Sequence, residues 1–307
     1  LVENDVTVDW GVTLTLEAGA VVKFKAYDRD LFVEGILDCQ GTAANPVVFT
    51  SERDDTYGGD SNGDGQQTTP APGYWGGIHF YNGENVLEHC LIRYGGRYAS
   101  GLLAAYDCSP RFAYCTVEYG SGTGIYYRAE PDFATAPEIL YNTIRDCAGD
   151  GIYFTAGSEA LASATIAYNT VEGPGGNEGI QLVIAAPGPS TMVVIGNVIS
   201  GYNTGLYLQN SSATVSGNEI TGCTEPLRLR DTCLPILTGN LISGNANQVL
   251  SVQGTLGADT AWTMLDDGYG TRMPIRIAGD TTVPWGVTVT IGAGEVIKFG
   301  AFETDLS

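Results

Sequence analysis

The most restrictive feature of this chain is a short motif that returns at a nearly fixed interval. It reads Gly196-Asn197-Val198-Ile199-Ser200-Gly201, Gly217-Asn218-Glu219-Ile220-Thr221-Gly222 and Gly239-Asn240-Leu241-Ile242-Ser243-Gly244. The asparagines lie 21 and 22 residues apart, and such a period indicates a stacked repeat architecture. A segment of this length cannot close a core alone, so it must bury its apolar side on the units above and below it.

Each unit consists of short apolar runs with glycine and polar corners between them and no amphipathic helix. The aliphatic residue after the corner recurs at Ile92, Val117, Ile144, Val171, Ile199, Ile220 and Ile242. A second run opens at Gly77-Ile78, Gly101-Leu102, Gly124-Ile125, Gly151-Ile152, Gly179-Ile180, Gly205-Leu206 and Pro226-Leu227. We therefore predict an all-β fold, a parallel β-helix, in which units of 21 to 28 residues form about 10–12 rungs.

Stacking turns sequence columns into spatial ladders with a spacing of about 4.8 Å. The corner column holds Asn142, Asn169, Asn197, Asn218 and Asn240, and the residues before it include His89, Tyr114, Tyr141 and Tyr168. We expect each asparagine to adopt the left-handed backbone and to bond the next copy, with stacked rings beside it. A third column, Arg93, Glu118, Arg145 and Glu172, alternates in charge. It is expected to face solvent and to specify register.

A fourth column lies outward on the strand after the glycine. It contains His79, Leu103, Tyr126, Tyr153, Gln181, Tyr207 and Arg228. Tyr126, Tyr153 and Tyr207 are candidate sugar-stacking residues if their rings form a flat exposed row. The alternative is ordinary cross-strand aromatic packing.

The end of the chain repeats its beginning at a constant offset and without a gap. Trp285-Gly286-Val287-Thr288 matches Trp10-Gly11-Val12-Thr13, and 13 of the 23 pairs from Trp10 to Phe32 are identical. We predict that residues 1–275 form one repeat unit and that residues 276–307 begin the next unit of the same solenoid. The alternative is two similar strand segments within one helix. Copies joined in one polypeptide and separate chains stacked head to tail both fit this pattern.

The composition restricts the partners and the compartment. A net charge of −21 disfavours nucleic acid and anionic membrane surfaces, and no apolar run is long enough to insert in a membrane. We predict an extracellular or cell-surface location, with any signal peptide removed or preceding this piece. The seven cysteines include no Cys-x-x-Cys pair, and they are either small buried residues or partners in one or more disulfides.

These patterns resemble the right-handed parallel β-helix superfamily that includes pectate lyases and polygalacturonases. Stretches such as Gly11-Val12-Thr13-Leu14-Thr15-Leu16, Gly41-Thr42-Ala43-Ala44-Asn45-Pro46 and Trp75-Gly76-Gly77-Ile78 look like tandem-repeat β-helix proteins of bacterial surfaces. The resemblance implies a right-handed coil and a secreted role. It is specific for the fold and weak for an activity.

A polar insertion over residues 51–73 holds the best candidate for chemistry. Asp60-Ser61-Asn62-Gly63-Asp64-Gly65 places oxygen donors at alternate positions, as in the first half of a calcium-binding loop. Position 12 of such a loop would be Ala71 instead of glutamate, so further ligands must come from residues such as Asp54 and Asp55. We predict a Ca²⁺ site formed by Asp60, Asn62, Asp64, Asp54 and Asp55, with a solvated polar loop as the alternative.

The residues of a polysaccharide hydrolase or lyase are not evident. The only histidines are His79 and His89, and the paired carboxylates Asp54-Asp55 and Asp266-Asp267 fall in predicted turns. We therefore predict a non-enzymatic extracellular module, the repeat unit of a rod or filament whose partners are further copies of itself, with calcium as a stabilising ion. The alternative is a polysaccharide-acting enzyme or a carbohydrate-binding adhesin.

Overall fold

The computed structural model describes residues 1–25, 29–131, 133–157, 160–185, 191–262, 266–300 and 305–306. Every regular element in these ranges is a strand. No helix among these residues has the length and hydropathy that a membrane span requires.

The first half of the chain contains β1 (Val6–Val8), β2 (Thr13–Glu17), β3 (Val21–Phe24), β4 (Leu31–Val33), β5 (Ile36–Gln40), β6 (Val47–Ser51), β7 (Ile78–Phe80), β8 (Val86–Glu88), β9 (Cys90–Arg93), β10 (Gly101–Tyr106), β11 (Arg111–Ala113), β12 (Thr116–Glu118), β13 (Thr123–Ala129), β14 (Ala134–Thr135), β15 (Glu138–Leu140), β16 (Thr143–Arg145) and β17 (Ile152–Ala156).

The second half contains β18 (Leu161–Ala167), β19 (Thr170–Glu172), β20 (Glu178–Ile184), β21 (Thr191–Ile195), β22 (Val198–Ser200), β23 (Thr204–Gln209), β24 (Thr214–Ser216), β25 (Glu219–Thr221), β26 (Glu225–Arg230), β27 (Ile236–Thr238), β28 (Leu241–Ser243), β29 (Leu250–Thr255), β30 (Thr260–Trp262), β31 (Ile275–Thr282), β32 (Val289–Ile291) and β33 (Ile297–Phe299).

Three parallel sheets form most of the molecule, and successive strands visit them in turn; beyond β28, only sheet B continues, beside a separate two-stranded sheet of β30 and β32. Sheet B begins β1-β4-β7-β10, sheet C begins β2-β5-β8-β11, and sheet A contains β3-β6-β9-β12 and continues to β28. The chain therefore winds as a solenoid of about 11 turns, which confirms the predicted architecture and rung number. The aliphatic residues after the corner form one register column from Ile92 to Ile242, and all of them are buried.

The corner between sheets C and A confirms the asparagine ladder. The side-chain oxygen of Asn169 accepts the backbone N–H of Asn142, and the side-chain oxygen of Asn197 accepts that of Asn169, each at 2.9 Å. Each asparagine amide also donates to a backbone carbonyl of the preceding turn, as Asn169 does to Ile139 at 2.8 Å. The ladder therefore pairs buried backbone groups that the tight corner leaves without strand partners.

The left-handed residue of this corner is the one before asparagine. It is an aromatic residue in the early turns, with φ of +56° at Tyr141 and +58° at Tyr168, and Gly196 takes the same place with φ of +66°. The prediction that asparagine itself adopts this conformation is wrong, because its side chain must point inward to reach the neighbouring turns. The rings stack as predicted: Tyr114 and Tyr141, and Tyr141 and Tyr168, have centroids 5.0 Å apart.

The alternating charges on sheet A face solvent as expected at Glu172, but the prediction is wrong at Arg93 and Glu118. Glu118 is only 3% exposed; Arg93 Nε lies 3.0 Å from it, and Arg145 Nε donates to it at 2.8 Å. The polar insertion folds back over this face. Two contacts show this: Asp54 lies 3.5 Å from Arg93, and Lys23 Nζ donates to the Gly59 carbonyl at 2.5 Å. The covering loop converts an exterior charge ladder into a buried ion network.

The predicted strand opening at Gly101-Leu102 is displaced by one residue. Leu103, and not Leu102, pairs with Ile78 and Ile125. Leu102 occupies the position that glycine holds in neighbouring turns, and its side chain fills space that a Cβ on Gly120 would enter at 2.1 Å. The seven cysteines are all buried and free, as the first of their two interpretations expects.

Candidate functional site

The polar insertion contains a cluster of three carboxylates, and it is the one cluster in the described ranges whose oxygen atoms lie close enough together to hold a metal ion. Oxygen atoms of Asp55, Asp60 and Asp64 all lie within 4.8 Å of one another. Asp60 accepts the backbone N–H groups of Gly63 and Gly65 at 2.7 and 2.8 Å. One oxygen of Asp55 is buried without a hydrogen-bond partner, so these residues fit a bound cation.

The other two predicted ligands have different surroundings. Asn62 donates to Asp64 Oδ2 at 3.0 Å, so it shapes the loop beside the three carboxylates. Asp54 is not part of the group: it accepts from the Thr50 hydroxyl at 2.7 Å and faces Arg93. The structure therefore separates Asp54 from the predicted site, because Asp54 belongs to the ion network on sheet A.

Calcium binding by this loop is testable through the carboxylates that shape it. We expect Ca²⁺ to bind the wild-type chain with a Kd on the order of 10⁻⁴–10⁻³ M and to raise its Tm, and we expect Asp60→Ala or Asp64→Ala to abolish both effects. The hydrogen bond from the Thr68 side chain lowers the pKa of Asp64, which favours the ionised carboxylate. Calorimetry and thermal melts measure both quantities.

Asp266→Ala is the matched control, because Asp266 also caps a turn by accepting the Gly268 N–H at 2.7 Å and lies outside the carboxylate group. Equal heats of Ca²⁺ binding in the wild type, Asp60→Ala and Asp64→Ala would rule out the site.

The predicted tyrosine row lies on the outer face of sheet B. Tyr126 pairs with Tyr153, Tyr153 with Gln181, and Gln181 with Tyr207. His79 pairs with Ala104 and not with Leu103. The predicted column is therefore wrong at that rung, because the strand that contains Leu102 and Leu103 is displaced by one residue. The rings do not form one plane: Tyr126 and Tyr153 meet at 83°, and Tyr207 is only 6% exposed.

A flat aromatic group that the sequence reasoning missed lies at the start of the same face. The rings of Tyr81 and Tyr106 are stacked with centroids 5.1 Å apart, and His79 is parallel to both. His79 Nε2 lies 2.9 Å from Asp30 Oδ1, and Tyr81 is 45% exposed. The two-residue spacing of His79 and Tyr81 could have predicted part of this group, since alternate residues of a strand point to the same face.

The second missed feature is a carboxylate pair on the adjacent column. Asp150 and Glu178 each precede the glycine that opens a strand, and Glu178 N–H donates to Asp150 Oδ1 at 3.0 Å. Burial, with Asp150 as neighbour, raises the pKa of Glu178 to about 7, and burial also raises the pKa of Asp150. Asp150 and Glu178 occupy equivalent places in adjacent turns, and adjacent strands lie about 4.8 Å apart, so the two carboxyl groups are close neighbours.

The carboxylate pair predicts a pH dependence of stability. Glu178 has its ordinary pKa of 4.5 when unfolded and about 7 when folded, so the folded state binds more protons between these values. Its contribution to the free energy of unfolding therefore falls as pH rises from about 4.5 to 7, by about 1–2 kcal/mol for a half-exposed group. Arg228 faces the pair and limits this loss.

Glu178→Gln should remove this contribution, so its stability relative to the wild type should rise across that pH window, as measured by urea unfolding. Glu172→Gln, an exposed glutamate of the same turn, is the control and should leave the profile unchanged. Parallel profiles for the wild type and Glu178→Gln would contradict the assignment.

Residues 276–307, which repeat the sequence of the first coil (residues 1–32), also repeat backbone hydrogen bonds of that coil. Val6 N–H donates to the Asp30 carbonyl at 3.1 Å, and at the equivalent positions Thr281 N–H donates to the Asp305 carbonyl at 2.9 Å. Lys25 N–H donates to Val2 at 2.9 Å, and the equivalent Gly300 N–H donates to Ile277 at 2.9 Å. The described part of residues 276–307 thus repeats these hydrogen bonds of the first coil.

A family model described as the right-handed β-helix region matches residues 74–185. A search of curated proteins finds no match. The matched segment covers the turns from β7 to β20, and the same three parallel sheets continue beyond it on both sides. Residues 74–185 therefore match the right-handed β-helix family, and the whole described chain has the fold of a parallel β-helix.

Proposed function

We propose that this chain is a non-enzymatic structural module of an extracellular rod or filament on a bacterial surface. In this proposal each unit equivalent to residues 1–275 is followed by the first coil of another copy, and the solenoid continues across the junction. The observation that carries the proposal is the repetition of the first coil's hydrogen bonds at Thr281 and Gly300.

The ends of the solenoid support this function. Among the described residues, β1 and β2 each pair with a strand on one side only, namely β4 and β5. An unpaired strand edge is a template for another chain, and a head-to-tail contact that does not close a ring gives an open filament. Further copies of this unit are the proposed partner, and Ca²⁺ at Asp55, Asp60 and Asp64 is the proposed stabilising ion.

Electron microscopy of a protein with four tandem copies of residues 1–275 followed by residues 276–307 tests the proposal. With about 11 turns in the chain and ~4.8 Å per turn, we expect straight rods with an axial repeat of about 50 Å. Separate globules joined by linkers would reject a continuous rod.

Carbohydrate binding is the second candidate, and the exposed stack of Tyr81 on Tyr106 favours it. Aromatic faces with a polar neighbour such as His79 suit the apolar face and hydroxyl groups of a sugar ring. Binding of pectin, alginate and neutral glucans to the wild type and to Tyr81→Ala distinguishes this role. Tyr98→Ala is the control, because Tyr98 is 85% exposed and is not in the stack. Turnover of any polymer would instead favour an enzyme.

A further inference from the structure

We propose that the first coil of one molecule can pair with the edge of β29 and β30 in a second molecule, in place of that molecule's own residues 276–307. The partner is thus a second copy of this chain, and the contact is a strand exchange with a defined register. This inference rests on the proposed function, since it identifies the surface through which copies meet.

The docking edge, defined as β29 and β30, already carries the equivalent segment of its own chain. Gly254 and Thr255 pair with Thr281 and Thr282, and Thr260 and Trp262 pair with Val289 and Ile291. In the first coil, the residues equivalent to these four partners are Val6, Thr7, Leu14 and Leu16.

The outer edge of the first coil has no strand partner in the part of the chain that the structure describes. Val6 N–H donates to Asp30, and the Val8 carbonyl accepts from Glu34, so both residues bond toward β4. Alternate residues of a parallel strand bond to opposite neighbours, so Thr7 faces the unpaired side. Its equivalent Thr282 faces the docking edge, because the Thr282 carbonyl accepts from Leu256 N–H at 3.0 Å.

Exchange replaces the hydrogen bonds between the docking edge and residues 276–307 with equivalent hydrogen bonds between the docking edge and the first coil of a second molecule. The repeated segment exposes several large apolar side chains: Trp285 is 102% exposed, Phe299 57% and Ile291 45%. Its release also uncovers Ile277, which is 0% exposed, and in the exchanged form the equivalent residue of the incoming first coil, Val2, takes that position. Because the same backbone pairs form again between molecules, the balance between the two forms depends mainly on protein concentration.

Full-length variants test the exchange. Thr282→Pro removes the N–H that faces the docking edge and so loosens the chain's own segment. With Leu14→Cys and Thr260→Cys added, oxidation should give a ladder of covalent multimers on a non-reducing gel. Light scattering of the Thr282→Pro chain should give masses at multiples of 32.3 kDa that rise with concentration. Adding Thr7→Pro, which blocks the open edge, should return the mass to that of a monomer.

Absence of multimers from the Thr282→Pro chain, or multimers that persist with Thr7→Pro, would overturn the exchange. Leu14→Cys with Ala261→Cys is the register control, because the neighbouring residue points to the opposite face, and it should give no ladder. A failed exchange alongside tandem copies that form continuous rods would reject this inference alone. Globular tandem copies would reject the proposed function.

Discussion

Replacing Asn169 with alanine is expected to lower the free energy of unfolding by about 3–5 kcal/mol. Asn169 is 1% exposed, and its side chain makes four hydrogen bonds. It donates to Ile139 O and Asn197 Oδ1 and accepts from the N–H and the side chain of Asn142. Alanine removes the side-chain partner of two buried backbone groups, the Ile139 carbonyl and the Asn142 N–H, and the cost of an unpaired buried group exceeds the net gain from a paired one. Urea unfolding at neutral pH measures the loss.

Asn169→Cys is the informative second variant. Cys115 already occupies this column, where its sulfur accepts from Cys90 N–H and donates to Leu87 O, each at 3.4 Å. A thiol therefore restores weak versions of the same bonds, and the loss should be smaller than for alanine by about 1–2 kcal/mol. Asn177→Ala, an exposed asparagine, should have little effect. A wild-type midpoint for Asn169→Ala would mean that the ladder does not stabilise the coil.

Replacing Glu118 with alanine is expected to destabilise the protein by about 2–4 kcal/mol. The carboxylate is buried between Arg93 and Arg145, and the Arg93 side chain is only 13% exposed. Removing the carboxylate leaves the Arg93 guanidinium with Asp54, at 3.5 Å, as its remaining acidic partner. An uncompensated buried charge is costly because the surroundings solvate it poorly.

Glu172→Ala is the matched control for this effect. Glu172 is the next glutamate in the same register column, and it is exposed, so its loss should change stability by less than about 0.5 kcal/mol. Equal effects of the two substitutions in chemical unfolding would show that the covering loop does not desolvate Glu118. Glu118→Gln keeps the side-chain volume and isolates the contribution of the charge.

The resemblance of the repeats to one another explains why so much could be predicted. When a chain winds with a constant period, residues at the same place in each repeat become neighbours, so Asn142, Asn169 and Asn197 could be aligned as one column before the structure was known. The same logic could have found Asp150 and Glu178, which occupy the position before the strand-opening glycine.

The predictions made from the sequence are wrong where a repeat departs from the regular pattern. Leu102 takes a glycine position in sheet B, which moves the pairing of that rung by one residue and replaces Leu103 with Ala104 opposite His79. A shift of one residue moves a side chain to the other face. The polar insertion has no counterpart in other turns, so the separation of Asp54 from Asp55, Asp60 and Asp64 could not be predicted.

The fold class, the buried columns and the repetition of the first coil all follow from the amino-acid sequence alone, because each depends on periodic spacing along the chain. Which outward residues are covered became known from the folded structure. Glu118 is buried because a distant loop folds over sheet A, and the pKa of Glu178 is raised because it is partly buried next to Asp150. Burial on an exterior face depends on contacts between segments far apart in the chain, and local spacing carries no record of them.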